Sequence, residues 1–421
     1  AHFNTTVEEI LEANPIIPTD VTTLPPGLPM QIPIYYRSFW GTSYQIVQDS
    51  LFINGPAARD FDTASFIEGF PGWLKDYRGE DGVPDPSGAG IVDYVASNYS
   101  ISPRVLLAIL EYQTGALSQP DIPNGVSPDY PLGNVSIQHR GLYLQLAWVA
   151  NLLNNGYYGW RSGKLIEFDR PDGRLEQPDP WQNAATVAFQ YYFSQNPAAG
   201  DYDQAIGPAG IALTYEELFG DPWQPIEAHI PGSLQQPALQ LPFEVGKSWS
   251  FTGGPHAGWG DGEPWAALDF APPAVVGGCT PSNEWATAVA AGTVVRSETG
   301  IVVLDLDGDN DERTGWVIFY LHVGTNGRAA LGTQLEAGDP VGHPSCERGT
   351  STGTHIHVAR KFNGEWVAAA GALPFVMEGW LPADGDAPYQ GTLTRFERTV
   401  TASTTSNEGT VIESRGLEET P

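Results

Sequence analysis

A chain of 421 residues outgrows a single hydrophobic core, so its length predicts two or three domains, and 41% hydrophobic residues is ordinary for globular material. Fifty acids against 20 bases give a net charge of −30, which excludes electrostatic capture of nucleic acid or anionic lipid and leaves partners that are neutral, cationic or held by shape. Forty-eight Gly, 36 Pro and only 17% charged residues exclude long helical arrays, and no apolar run reaches the roughly 18 residues that a bilayer demands. The expectation is a soluble chain, in a mature form freed of its signal.

Residues 1–34 begin with Asn4-Thr5-Thr6 ahead of Val7, Ile10, Leu11 and Ala13, a short amphipathic helix stopped by Asn14-Pro15. Leu24 to Pro33 then reads as a turn feeding a brief strand. Through "FNTTVEEILEANP" and "LPPGLPMQIP" this segment resembles the second half of a LysM domain, a small glycan-binding βααβ fold.

Residues 35–232 carry helical signals and predict an all-α domain. Ser102-Pro103 supplies a cap and a first-turn proline ahead of Val105, Leu106, Ile109 and Leu110. Further apolar segments run from Leu142 to Leu153 and from Ala184 to Phe193. "SPRVLLAILEYQTG" is similar to the active-site helix of lysozyme-like lytic transglycosylases, with Gln113 where that family has its acid. An amide cannot protonate a glycosidic oxygen, so the resemblance implies a degenerate, glycan-binding relative. Glu111, two positions away on a helix, faces elsewhere.

A Pro- and Gln-rich linker, Pro231 to Pro242, precedes a change of character. From residue 233 to 403, β-branched and aromatic runs predict an antiparallel all-β domain, with strands at Ala288–Val295, Ile301–Leu306, Trp316–His322 and His355–Val358. Residues 404–421 read as a polar tail. The fold class is thus multidomain α + β, helical first and sheet second.

The chemistry concentrates in the sheet domain. Of eight histidines, His256, His322, His355 and His357 fall in about a hundred residues together with Asp269. Residues at i and i+2 of a strand share a face, so His355 and His357 can converge on one site. His256 sits in a Gly-rich loop, "FTGGPHAGWGDGEPW", Asp269 opens "DFAPP", and His322 closes "WVIFYLHV". Two imidazoles and a carboxylate are a usual protein share of a catalytic zinc site. Trp249, Trp259 and Trp265 could wall such a site or merely pack.

Cys279 and Cys346 are either a disulfide or two buried thiols, and the disulfide is favoured. It would imply an oxidising, extracytoplasmic location. Asp305, Asp307, Asp309 and Asp311 alternate on a tight loop, a possible calcium site. The EF-hand register fails there, because Asn310 replaces its glycine and Trp316 its bidentate acid, so a solvated acidic hairpin is the favoured reading and calcium the alternative. His343 lacks a ligand's spacing and reads as structural.

His256-x12-Asp269, the isolated His322 in "YLHV", and Gly353-Thr354-His355-Ile356-His357 resemble the lysostaphin and staphylolysin (β-lytic) class of zinc metalloendopeptidases across about residues 240 to 400. The gap between the first two motif residues suits the staphylolysin-like branch. The resemblance implies zinc ligands His256, Asp269 and His357, catalytic roles for His322 and His355, and a substrate in peptidoglycan crosslinks or Gly-rich peptides. No His-Glu-x-x-His motif is present, which excludes a thermolysin-type arrangement. The competing function is a non-catalytic wall-binding or regulatory protein that activates a separate hydrolase. A latent enzyme masked by its helical domain is a third reading.

Overall fold

The structure is a computed structural model that describes residues 5, 7–34, 40–79, 82–274, 277–280 and 282–417. It divides into a first unit of Ala1–Val21, Pro25–His229 and Trp259–Glu263, and a second of Thr22–Leu24, Ile230–Gly258 and Pro264–Pro421.

In the first unit, helix α1 (Val7–Ala13) ends before Asn14, whose side-chain amide donates to the Ile10 carbonyl at 2.7 Å. Of the expected helix start, Asn4 and Thr6 lie outside the described residues. A turn closes from Leu28 N–H to the Pro25 carbonyl at 3.2 Å. The strand expected before Pro33 is not formed. Pro25, Pro26, Pro29 and Pro33 lack the N–H groups that a strand ladder needs, so the LysM-like pattern is not completed.

The helical body contains α2 (Gly88–Tyr99), α3 (Pro103–Thr114), α4 (Leu142–Ser162), α5 (Ala184–Gln195) and α6 (Ile211–Phe219). Pro103 fills the first position of α3, but the Ser102 hydroxyl makes no capping bond. Helices α4 and α5 approach closely at Gly156, where a Cβ would lie 2.7 Å from the Ala188 Cα. Buried aromatics close the core, with Phe52 stacked on Tyr157 at 4.8 Å. The all-α expectation needs one correction: Phe168–Asp169 and Leu175–Glu176 pair as a minimal antiparallel ladder. Gln113 donates to the Tyr192 hydroxyl. Glu111 accepts from the Leu117 and Ser118 N–H groups at 2.7 and 3.2 Å, so its carboxylate is spent on the turn after α3. Trp259–Glu263 belongs to this unit because the N–H groups of Asp261 and Glu263 donate to Asn151 and Asn155 of α4, each at 2.9 Å.

The second unit is built on a twisted antiparallel sheet. Its strands are β1 (Ser248–Ala257), β2 (Trp265–Ala271), β3 (Gly292–Glu298), β4 (Gly300–Asp305), β5 (Trp316–Val323), β6 (Gln334–Leu335), β7 (Ile356–Phe362), β8 (Glu365–Trp366) and β9 (Val411–Glu413). Among the described residues the order is β9-β1-β2-β7-β5-β4-β3-β6, with β8 pairing β7. One face carries Leu268, Phe270, Val302, Leu304, Ile318, Tyr320, Ile356 and Val358 into a continuous apolar core. The other carries Asp269 and His357. A separate ladder joins Leu381–Ala383, Thr392–Arg395 and Arg398–Thr401.

Two expectations fail here. The first half of the Gly-rich stretch around His256 is not a loop: Phe251–Ala257 lies in β1 and pairs with β2, with register shifts on both sides of Gly253 absorbing the irregular residues, while residues 258–264 join the two strands. The polar tail is part of the sheet, since Val411–Glu413 pairs with Ser248–Ser250 of β1 and buries Ile412 completely. Alternation of Ile412 inward with Glu413 outward drives that pairing; residues 418–421 lie outside the described set.

Candidate metal centre

Asp269 and His357 stand directly opposite each other across β2 and β7, so their side chains leave the same face at neighbouring points. His256 on β1 faces Ala267, two residues from Asp269 and therefore on that same face. Opposite Asp269, β1 has Gly253, where a Cβ would lie 2.7 Å from Asp269 Oδ2. Only a residue without a side chain leaves the carboxylate its room.

The donor atoms converge. His256 Nε2 lies 2.9 Å and His357 Nδ1 3.3 Å from Asp269 Oδ1. Two ligands of a tetrahedral ion, each about 2.0 Å from it, stand roughly 3.3 Å apart. One donor from each residue lies within 4.8 Å of the other two, and all three residues are buried. Although His256 Nε2 and Asp269 Oδ1 are close, they are not aligned as a hydrogen bond, and both are buried without any such partner. Two buried polar atoms without hydrogen-bond partners, aimed at one point, cost free energy that a cation between them would offset. His357 Nε2 lies 3.0 Å from the Gly258 carbonyl. A carbonyl only accepts, so that nitrogen carries the proton and Nδ1 keeps its lone pair for the centre. The donor set therefore fits a divalent metal.

His322 and His355 flank this set, their rings 4.5 Å apart. His322 Nδ1 lies 3.1 Å from the Glu347 carbonyl, and His355 Nδ1 lies 2.8 Å from that of Gly353. By the same logic each Nδ1 holds the proton and each Nε2 is left with a lone pair. His355 Nε2 is 3.7 Å from Asp269 Oδ2. His322 has φ of 64°, a left-handed conformation uncommon outside glycine. It is an inserted residue: Gly300 and Ile301 of β4 pair with Val323 and Leu321 of β5, leaving His322 between them. The bulge resets the alternation, so Ile318, Tyr320 and Val323 enter the core while His322 turns to the site.

Electrostatics follow from burial and proximity. Burial alone would raise the Asp269 carboxyl, but the imidazoles of His256, His355 and His357 outweigh it and hold it well below the usual carboxylate range. Burial, then the neighbouring His355 and His357, takes His322 down to about 3. Burial also lowers His357, against the pull of Asp269. His322 is therefore neutral at pH 7 and able to accept a proton.

Tyr389, which no sequence motif marks, stacks on His256 with ring centres 4.0 Å apart, and its N–H donates to the Pro255 carbonyl at 3.1 Å. Trp249 is not a wall of the site: it is fully buried and stacked on Phe243 at 4.9 Å. His343 packs on Trp285 and points Nδ1 at the Glu284 carbonyl at 2.9 Å. Cys279 and Cys346 form a disulfide with Cα atoms 5.7 Å apart.

The acidic loop is satisfied from within. Asp305 accepts the N–H groups of Asp307 and Asn310 at 3.1 and 2.9 Å, and burial pushes its carboxyl up to about 6. Asp305, Asp307 and Asp309 can bring donors within 4.8 Å, but Asp311 is outside that group and pairs with Arg313 at 2.7 Å. Of the four carboxylates of the alternative calcium reading, three come together, each already engaged in turn hydrogen bonds.

The chain is homologous to the staphylolysin and β-lytic metalloendopeptidases. Residues 45–234 match the family model described as the LasA N-terminal domain. The chain is 25% identical to Protease LasA of Pseudomonas aeruginosa (strain UCBPP-PA14) over 344 residues, 77% of this chain and 76% of that protein. It is 27% identical to the beta-lytic metalloendopeptidase of Lysobacter enzymogenes over 165 residues, 38% of this chain and 86% of that protein. Among solved structures, the M23 metalloprotease pseudoalterin aligns at 23% identity and a TM-score of 0.34, covering 40% of this chain and 96% of its own.

Proposed function

We propose that this chain is a zinc-dependent endopeptidase that hydrolyses peptide bonds in peptidoglycan crosslinks or other Gly-rich peptides, outside the cytoplasm. The observation that carries the reading is the pair of buried, unsatisfied atoms, His256 Nε2 and Asp269 Oδ1, meeting His357 Nδ1 at one point. In this reading His256, Asp269 and His357 hold the ion. Zinc, when bound, supplies Lewis acidity and lowers the pKa of a bound water to about 7.

The protein's own groups do the rest. His322 and His355, each fixed as the Nδ1–H tautomer by a backbone carbonyl, present Nε2 to accept the proton of the attacking water. Once protonated, the same edge becomes a donor that stabilises the developing oxyanion and then protonates the leaving amine. Asp269 Oδ2, 3.7 Å from His355 Nε2, favours the transient imidazolium. Tyr389 stacked on His256 holds that ring in its plane. The disulfide supports an oxidising compartment.

Metal analysis with pentaglycine cleavage tests this. His357→Ala should lose zinc and activity together, whereas His322→Ala should keep zinc and lose activity. Zinc lost from both, or cleavage retained by either, rejects the assigned roles. Full zinc occupancy with no cleavage of any wall peptide favours the non-catalytic regulator.

A further inference from the structure

The Cys279–Cys346 bridge joins two irregular segments, and the contacts around it point at the two histidines that are not metal ligands. Cys346 is flanked by residues that hold His322. Ser345 gives its N–H and its hydroxyl to the His322 carbonyl, each at 2.8 Å, while the Glu347 carbonyl faces His322 Nδ1. The same loop holds His355. Its Nδ1 faces the Gly353 carbonyl, and the Ser351 hydroxyl lies 3.4 Å from that nitrogen and 3.3 Å from Cys346 Sγ. On the Cys279 side, the Gly278 carbonyl accepts the Thr354 N–H at 3.1 Å, and the Thr280 carbonyl accepts the Thr354 hydroxyl at 2.6 Å. Thr354 immediately precedes His355.

The contrast with the metal set is mechanical. His256, Asp269 and His357 are fixed by paired strands, whose ladder hydrogen bonds involve no residue of that loop. The carbonyls that set the tautomer of His322 and His355 belong to a loop of residues 345–355 whose ends meet in a single Ser345–His355 bridge and whose interior, Cys346–Thr354, forms no ladder. One covalent bond ties that loop to residues 277–280.

We propose that the Cys279–Cys346 disulfide is a redox-sensitive positioning device for His322 and His355, whose reduction stops turnover while the metal stays bound. This rests on the zinc-endopeptidase reading above. A dithiol thiolate attacks one sulfur of the bridge, the S–S bond breaks, and the mixed disulfide is resolved by the second thiol of the reductant. The dithiol ends as its own disulfide, and its two electrons and two protons leave Cys279 and Cys346 as thiols. A loop displaced by about 1 Å misplaces both proton acceptors, a loss on the order of 100-fold in rate. The consequence is an enzyme idle in a reducing compartment and active only after oxidation outside it.

The test reduces zinc-loaded, full-length protein with dithiothreitol, removes the reagent anaerobically, and measures thiols, zinc and pentaglycine cleavage. The expected result is two thiols, undiminished zinc, kcat down about 100-fold with KM within about twofold, and recovery on reoxidation. The double variant Cys279→Ser with Cys346→Ser should match the reduced enzyme and ignore dithiothreitol. If it does not fold, reduction and reoxidation of the wild type carry the test alone. Unchanged kcat with two thiols titrated, or zinc released in step with activity, overturns the proposal. An oxidised enzyme that never shows zinc-dependent cleavage sinks the functional reading instead.

Discussion

Replacing His322 by asparagine should flatten the acid limb of this protein's stability. Burial beside His355 and His357 takes the His322 pKa down to about 3 from an ordinary 6.5. A histidine whose pKa is lowered by folding binds protons more weakly in the folded state. Its burial costs nothing above pH 6.5, costs progressively more as the pH falls through that value, and reaches its full cost near the folded pKa. At pH 4.5 the difference amounts to about 2 units, or about 3 kcal/mol. Asparagine does not titrate and tolerates the left-handed φ of 64° at this position. Metal-stripped wild type and His322→Asn, unfolded in urea at pH 7 and pH 4.5, provide the comparison. The wild type should lose about 3 kcal/mol more than the variant on acidification. An equal loss in both proteins would show that this imidazole is not held neutral by its surroundings, and the argument for its role as a ready proton acceptor would go with it.

Gly253→Ala places a Cβ 2.7 Å from Asp269 Oδ2, so zinc affinity by competitive chelation should fall at least about tenfold with circular dichroism unchanged; unaltered affinity would mean that the carboxylate has slack. Ile412→Ala, at a fully buried position of β9, should cost about 2–4 kcal/mol in denaturant unfolding, whereas a disordered tail would cost nothing. The Lys361 ammonium lies 4.3 Å over the Trp366 ring, and burial takes it down to about 7. Lys361→Met should therefore stabilise the protein by up to about 4 kcal/mol at pH 7 and progressively less as the pH rises towards 10.5, because the unfolded lysine then also loses its charge. A gain that persists undiminished above that pH would point to packing instead.

The candidate site was legible because its spacing is set by strand geometry. His355-x-His357 needs only a period of two to place both imidazoles together, and the histidines are few. Asp269 and His357 sharing a cross-strand pair is a register, which no local pattern specifies. His322 was found by its type and not by its orientation. Strict alternation from Tyr320 would turn it into the core, and a one-residue bulge reverses that. Tyr389 left no trace in the sequence because its contact with His256 depends on a loop about 130 residues further along the chain. Around His256, glycine and proline read as loop; the partner strand β2 supplied enough pairing to carry a strand through the irregularity. The tail failed for a similar reason: Val411 and Ile412 are too short an apolar run to announce a strand until the exposed margin of β1 offers it a template.

That last pairing governs how the molecule can be cut. β1, which carries His256, would be the outermost rung of the sheet if β9 were missing, and its ladder groups from Ser248 to Ser250 would face solvent. An open rung of that kind recruits strands from other molecules. A fragment trimmed near residue 403, which the polar composition beyond it invites, should therefore clump on expression even with His256, Asp269, His322, His355 and His357 all in place. Carrying the fragment through residue 417 keeps the margin sealed.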